Sequence, residues 1–255
     1  MQAPLHDRLD SLQVASPPSA ACRIATAGWT IPRAVAAEFP ADGFGLERYA
    51  ARLSAVEVNS TFYRSHRAST YARWVEATPE RFRFAVKLPR AITHEARLVD
   101  TMGLVAVFRQ EAALLGEKLG PLLVQLPPSL AFAAQVAEPF FAGLRQLWPG
   151  AIVCEPRHAS WFDGEADALL SAQRIGRVGA DPARHPAAAS PGGWKGVAYW
   201  RLHGSPRIYA SPYERSALRS LAADIRAASG ERWCVFDNTS LGAAAANALA
   251  LTAMI

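Results

Sequence analysis

The sequence predicts an α/β protein, a (β/α)8 TIM barrel of eight parallel strands with a loop in place of the sixth helix. Three observations predict it. Short apolar runs alternate with stretches of helical period, the pattern of parallel strands joined by crossover helices. Eight such units fit in about 230 of the 255 residues, the count and size of such a barrel. The first strand–helix turn, AGWTIP, lacks the glycine-rich fingerprint with which a doubly wound open sheet usually binds a nucleotide.

The elements follow in order. Strands are expected at 23–29 (RIATAGW), 55–63 (AVEVNSTFY), 83–89 (RFAVKLP) and 121–127 (PLLVQLP). Four more are expected at 151–158 (AIVCEPRH), 175–181 (IGRVGAD), 197–204 (VAYWRLHG) and 232–239 (RWCVFDNT). Between them, 46–53 reads as a short helix, and 67–78 places Tyr71, Trp74 and Val75 on one side at helical spacing. The stretch 101–120 is a long helix ending at Gly120, a C-cap residue. Pro139 makes the helix at 134–148 start late or kink. A short helix fits 164–174. The stretch 211–230 offers Ser211 as N-cap, Pro212 in the first turn, Glu214 three residues on and Gly230 at the stop. The chain closes on a helix at 242–255. Residues 182–196, rich in Pro, Gly and Ala, carry no helical period and read as a loop, a candidate flap.

Alternation sorts each strand into two faces, because the helix-facing side of a barrel strand must be apolar. Val56, Val58 and Phe62 take the outside of strand two, so Glu57, Asn59 and Thr61 point inward. Phe84, Val86 and Leu88 send Ala85 and Lys87 inward; Leu122, Val124 and Leu126 send Gln125 inward. Ile152 and Cys154 leave Glu155 and Arg157 inside, and Trp200 and Leu202 leave Tyr199, Arg201 and His203 inside. Strand six ends on Asp181. In strand eight Asp237 and Asn238 are adjacent, and only one can follow the inner face. These polar residues gather at the C-terminal strand ends, the active-site face of such barrels. A layer meant only for stability would more economically be Val, Ile and Leu, since buried ion pairs cost several kcal/mol per ion in desolvation.

Composition narrows the function classes. Hydrophobic residues make up 51%, enough for a large core. No apolar run reaches the ~18 residues of a membrane helix. Residues 1–21 read as a disordered leader: His6, Asp7, Arg8 and Asp10 stand where a signal peptide needs apolar residues. Cys22, Cys154 and Cys234 show no metal or redox spacing, which fits a reducing cytoplasm. Net charge is +5, but no run of clustered Lys or Arg exists, so nucleic acid stays an alternative partner only. Lysine occurs just at 87, 118 and 195 in an arginine-rich chain. A compact, titratable ammonium kept at Lys87 invites a functional reading.

These stretches resemble the YecE-like family, a bacterial and archaeal family of unknown function. The carriers are VEVNSTFYR, RWVEATPERFRFAVKLPRAITHEARL, GPLLVQLPPS, CEPRHASWF, YWRLHGSPRIYASPY and FDNTSLGAAAANAL, in order across roughly residues 24–250. The family is similar to TIM barrels, which implies the same fold. It implies recurrent positions at Glu57, Asn59, Thr61, Phe62, Tyr63, Lys87, Thr93, His94 and Glu155. Others fall on Arg157, Trp161, Asp181, Arg201, His203, Gly204, Tyr209, Tyr213 and Asn238. Asp237 stands where the family usually shows a second Asn.

The chemistry follows from the ring. The histidines show no HxH or HExxH spacing. His158 and His203 could meet Glu57 and Glu155 in a metal set, but three cations in the same ring would repel a divalent ion. No metal or cofactor is expected. Lys87, Arg157 and Arg201 form an anion clamp, suited to phosphate or carboxylate. Glu57 and Glu155 are acid or base candidates in the manner of a glycosidase pair, His203 is a proton shuttle, and Lys87 is a Schiff-base candidate that nearby acids would keep protonated. Asn59, Thr61, Gln125, Asp181, Asp237 and Asn238 are expected around the ligand with His94, and Tyr63, Trp161 and Tyr209 at the rim. The expectation is an enzyme, hydrolase or lyase/isomerase, acting on a small anionic or phosphorylated substrate. The alternatives are a nucleic-acid-binding, nuclease-like barrel and a non-catalytic ligand-binding module.

Overall fold

The computed structural model describes residues 22–255, and the leader expected at 1–21 lies outside them. Parallel strands and helices alternate through the described chain. β1 (Cys22–Thr26), β2 (Ala55–Val58), β3 (Arg83–Lys87), β4 (Leu119–Gln125) and β5 (Ile152–Glu155) are followed by β6 (Ile175–Arg177), β7 (Gly179–Asp181), β8 (Gly192–Gly193), β9 (Val197–Leu202) and β10 (Glu231–Phe236). The helices are α1 (Gly45–Ala50), α2 (Ala68–Glu76), α3 (Met102–Ala113), α4 (Ala134–Leu147), α5 (Gly164–Ala172), α6 (Arg215–Ala227) and α7 (Ala243–Thr252).

The sequence predicts one eight-stranded barrel; the strands form two sheets, ordered β1-β10-β9-β7 and β2-β3-β4-β5-β6-β8. All pairings are parallel except β6 with β8. At one seam the sheets touch through a single bridge, Ala27 to Glu57, with the Gly28 amide donating to the Glu57 carbonyl. At the other, the expected strand six divides at Val178. Its amide donates to Cys154, and the chain then leaves β5 to pair with β9.

Two apolar layers result from the alternation. Val56, Val58, Phe84, Val86, Ile152, Cys154, Trp200 and Leu202 pack in the large layer beneath the helices. Ala25, Ala55, Ala85, Leu123, Val153, Val178, Tyr199, Trp233 and Val235 pack against one another in a smaller inner layer drawn from both sheets. The inner layer holds alanines from three neighbouring strands, which leaves room for Trp233 and Tyr199 to stack at 6.0 Å.

Several expected boundaries move. Strand two ends at Val58, and residues 60–62 form a helical turn. The long helix ends at Ala113, and Gly120 is a strand residue of β4, where an added Cβ would meet Trp233 at 3.0 Å. Helix α6 starts after Glu214; Ser211 instead accepts from the Arg207 amide through its hydroxyl. Pro139 sits in the second turn of α4, which continues past it to Leu147. No α-helix occupies 182–196 among the described residues, as expected. That stretch is tied down, not free: Arg177 bonds Asp167 and the Ala187 carbonyl, and the Gly193 amide donates to Asp167. No described helix is long and apolar enough to cross a membrane.

Candidate functional site

The inner-face alternation continues upward from the apolar layer and ends in charge. Glu57 on β2, Glu155 on β5, Arg201 on β9 and Asp237 just after β10 converge there, with His203 two residues beyond Arg201. Arg201 is the hub and is fully buried. Its Nε donates to Glu57 Oε2 at 3.0 Å and its Nη2 to Glu57 Oε1 at 2.8 Å. Nη1 donates to Glu155 Oε2 at 2.6 Å, and Nη2 also to Asp237 Oδ2 at 2.9 Å. Burial opposes its charge, but Glu57, Glu155 and Asp237 hold its pKa well above the ordinary value.

The acids are equally engaged. Glu57 is 0% exposed and also accepts from the Tyr199 hydroxyl at 2.8 Å. Glu155 Oε1 accepts from Arg157 Nε and Nη2 at 3.2 and 3.1 Å and faces His203 Nε2 at 3.0 Å. Its Oε2 accepts from Gln125 Nε2 at 3.0 Å as well as from Arg201. Burial alone would raise the Glu155 pKa; Arg201, His203 and Arg157 hold it well below the usual range. Asp237 is lowered too, burial again being outweighed, first by Arg201 and then by His203.

His203 stands between two carboxylates, with Nδ1 3.0 Å from Asp237 Oδ2 and Nε2 3.0 Å from Glu155 Oε1. Both ring nitrogens must then donate, which only the imidazolium can do. Burial pushes its pKa down, but Glu155 and the Asp237 bond push it further up.

The rim differs. Lys87, at the end of β3, is 7% exposed. Among the described residues its ammonium has no hydrogen-bond or ion-pair partner; it lies 4.0 Å from the centroid of Phe62. Burial, with Arg201 adding to it, lowers its pKa to about 8 against the pull of Glu57, Glu155 and Asp237. His94 stands edge-on to the same Phe62 ring at 5.0 Å, its Nδ1 bonded to the Thr93 hydroxyl at 2.8 Å. Burial, then Lys87 and Arg157, lower the His94 pKa. Arg157 keeps 19% of its side chain exposed, with Glu155 and then Tyr209 raising its pKa against burial. Tyr209, itself 42% exposed, stands edge-on to His203.

Several sequence expectations are corrected by this geometry. The Arg201 guanidinium, expected in the anion clamp, is engaged by three carboxylates. His203, expected as a proton shuttle, is held between Asp237 and Glu155, which push its pKa up. Glu57 and Glu155, expected as an acid or base pair, are instead both engaged by Arg201, Glu57 also by Tyr199 and Glu155 also by Gln125. Acids do not keep the Lys87 proton in place; burial and Arg201 loosen it. Thr61, expected around the ligand, has its hydroxyl on the Val58 and Lys87 carbonyls. Phe62 lies not under the helices but beneath the Lys87 ammonium. Trp161 is buried among Phe132 and Phe141, its Nε1 donating to the Leu130 carbonyl. Asp181 turns to the helix side and accepts from the Tyr213 hydroxyl at 2.7 Å. Asp237 takes the inner position, and Asn238 is buried beside it, donating to Ser211 and Asn247. Tyr63 is 71% exposed beside a groove that also includes Arg64 and Glu111.

Gln125, Arg157, His94 and Tyr209 do gather with the ring. Tyr199 is a participant the sequence placed inside without a role; its hydroxyl two residues before Arg201 was the available signal. A cavity of about 640 Å³ opens beside the ends of β1 and β2. It is lined by Trp29, Asn59, Arg64, His66, Arg67 and Trp74 among others, and none of its lining residues belongs to the charged network. Asn59 faces that cavity, not the ring, with its Oδ1 buried and unpartnered. Among the described residues no group of three or more His, Cys, Asp or Glu is placed to hold a metal ion.

Fold and site together define an α/β protein of parallel strands with a buried, charge-saturated layer at the strand ends and a partly open cationic rim. The chain belongs to the family described as "Protein of unknown function DUF72", which it matches over residues 23–255. It is 37% identical to the "UPF0759 protein YecE" of Escherichia coli K12 over 82 residues, which cover 32% of this chain and 30% of that protein. The match thus spans under a third of the relative's length. A DUF72 family protein of Enterococcus faecalis has a similar solved structure, with TM-score 0.77 and 20% identity over 92% of this chain and 95% of that one. Another, from Thermotoga maritima, gives TM-score 0.75 and 25% identity over 91% and 98%.

Proposed function

We propose that the two sheets act as one (β/α)8-type barrel whose C-terminal mouth binds a small anionic or phosphate-bearing substrate between Lys87 and Arg157. The bridge at Ala27 and the handover at Val178 support the barrel reading, since they join the sheet edges at both seams. One observation carries the ligand reading: Lys87 is a buried cation with no counter-charge in contact. The acids that pull on it, Glu57, Glu155 and Asp237, are already engaged by Arg201, His203 and Arg157. Burying an unpaired ammonium is costly, and an incoming carboxylate or phosphate removes that cost. The free part of the Arg157 fork supplies a second, planar donor.

In this reading the roles shift from the acids to the rim. Glu57, Tyr199 and Gln125 position Arg201 and Glu155. Those hold His203 and Arg157, and Lys87, His94, Arg157 and Tyr209 meet the ligand. Calorimetric titration with inorganic phosphate and with sulfate tests it. Lys87→Met and Arg157→Ala should each weaken binding about tenfold or more, the worth of a charge-assisted hydrogen bond. Unchanged affinity in both variants, or no binding to the wild type, rejects it.

A second reading rests on the 640 Å³ cavity, where Arg64, Arg67 and Arg73 stand with Trp29 and His66. Such a basic, aromatic-edged groove suits a nucleic-acid backbone. Retention of single-stranded DNA should then fall steeply with added salt; retention that ignores salt would reject it.

A further inference from the structure

We propose that Lys87 is a nucleophile, forming a Schiff base with a small carbonyl compound whose carboxylate or phosphate is received by Arg157. This deepens the mouth reading above and rests on it. The argument begins with the three lysines. Lys118 is spent as a clamp: its ammonium donates to the Val75 and Thr78 carbonyls at 2.6 Å each and to the Thr78 hydroxyl at 3.1 Å. Lys195 is exposed on the loop before β9. Lys87 alone of the three is buried at a strand end with an ammonium that makes no hydrogen bond among the described residues. Burial at the strand end without a counter-charge in contact, with the Arg201 guanidinium nearby, favours the neutral amine, the form that attacks a carbonyl. The lowered pKa, about 8, agrees with this geometry. An arginine in its place would hold a charge equally well, so a pure anion site does not need this residue type.

His94 supplies the proton traffic. It borders the same Phe62 ring, its Nδ1 is bonded by Thr93, and its Nε2 is left for exchange. The ammonium first gives one proton to His94. The amine lone pair then attacks the carbonyl carbon, a C–N bond forms, and the C=O π pair moves to oxygen. A proton passes from nitrogen to that oxygen to give a carbinolamine. His94 returns its proton to the hydroxyl, water leaves, and the nitrogen lone pair closes the C=N bond. Ammonium plus carbonyl thus yields a protonated imine plus water, with no change of oxidation state.

The test is reduction by sodium borohydride in the presence of pyruvate or glycolaldehyde phosphate, read by intact mass and peptide mapping. One reduced adduct per chain is expected, on Lys87. Its labelling should exceed that of Lys195 by about tenfold or more at pH 7.5, where an ordinary lysine is almost wholly protonated. Lys87→Arg should abolish the adduct, and Arg157→Ala should reduce it. A Lys118→Arg/Lys195→Arg double variant should label as fully as the wild type. If phosphate binds the wild type but no adduct maps to Lys87, the nucleophile is rejected and the anion site stands. Labelling spread over Lys195 and the N-terminus also rejects it. Neither phosphate binding nor an adduct rejects both readings.

Discussion

Arg201 and Lys87 are cations of one charged layer, yet its floor and its rim treat them oppositely. On the floor, the Arg201 guanidinium meets Glu57, Glu155 and Asp237 within 3.0 Å, and Tyr199 and Gln125 fill in around those carboxylates. At the rim, Lys87 lies against Phe62 without an acid in contact. A region that satisfies its own charges has nothing to offer an outside molecule. A region that buries a cation without satisfying it is less stable than it could be, and an arriving anion relieves it. Here the difference separates residues that hold the site from residues that use it.

The sharpest test of the contrast is Arg201→Met. It strands three carboxylates and should cost about 3–5 kcal/mol, as removal of one partner from a buried network does. Urea denaturation measures this, and a cost below ~1 kcal/mol breaks the comparison. Tyr199→Phe removes one hydrogen bond to a buried carboxylate. It should cost roughly 1.5–3 kcal/mol and leave phosphate affinity unchanged in calorimetry. Lys87→Met should go the other way and stabilise the chain by on the order of 1–3 kcal/mol at pH 7, while weakening phosphate binding. A loss of stability in Lys87→Met would place that residue with the floor.

The smallest effects are in the pH dependence of denaturation. Lys87 titrates near 8 when folded and near 10.4 when unfolded. The unfolded chain therefore binds more protons in between, and stability from this group rises with pH across that window. Lys87→Met should flatten that rise. Glu155 and Asp237 are lowered by folding. Their stabilisation is present above about pH 4 and fades as pH falls through their folded values. His203 is raised, so its stabilisation is complete below about pH 6.5 and fades as pH climbs through its folded value. Glu155→Gln should shrink both the acid loss and the His203 fade.

Much of this was legible because burial forces alternation. Val56 and Val58 had to face the helices, so Glu57 had to face inward, and Trp200 with Leu202 did the same for Arg201. The same rule was available for Asp181: Ile175 lies an even number of residues away and packs under the helices, which puts Asp181 on that side. Boundaries were less legible. Asn59 and Thr61 extend the polar alternation of β2, but the chain turns helical at Ser60, and alternation says nothing once a strand ends. Trp161 at the rim was a fair reading of its position in sequence, but its indole found Leu130, 31 residues away. Above all, the pattern could gather four acids, three cations and one imidazole without saying who pairs with whom. Pairing depends on ångström distances across strands far apart in sequence, and those decide that Arg201 is spent and Lys87 is not.

Those sequence distances also bear on how the chain assembles. Glu57 and Arg201 are separated by 144 positions, and Glu57 and Tyr199 by 142. Chains emerge N-terminus first and closing long loops costs entropy before any contact repays it. The Glu57 carboxylate therefore waits in water through the synthesis of β3 to β7 and the loop that follows. The Arg201 partner arrives only with β9, and the hub closes only when β10 brings Asp237. The hub is thus a lock that turns last, and a chain halted before β9 holds an acidic strand end without its guanidinium.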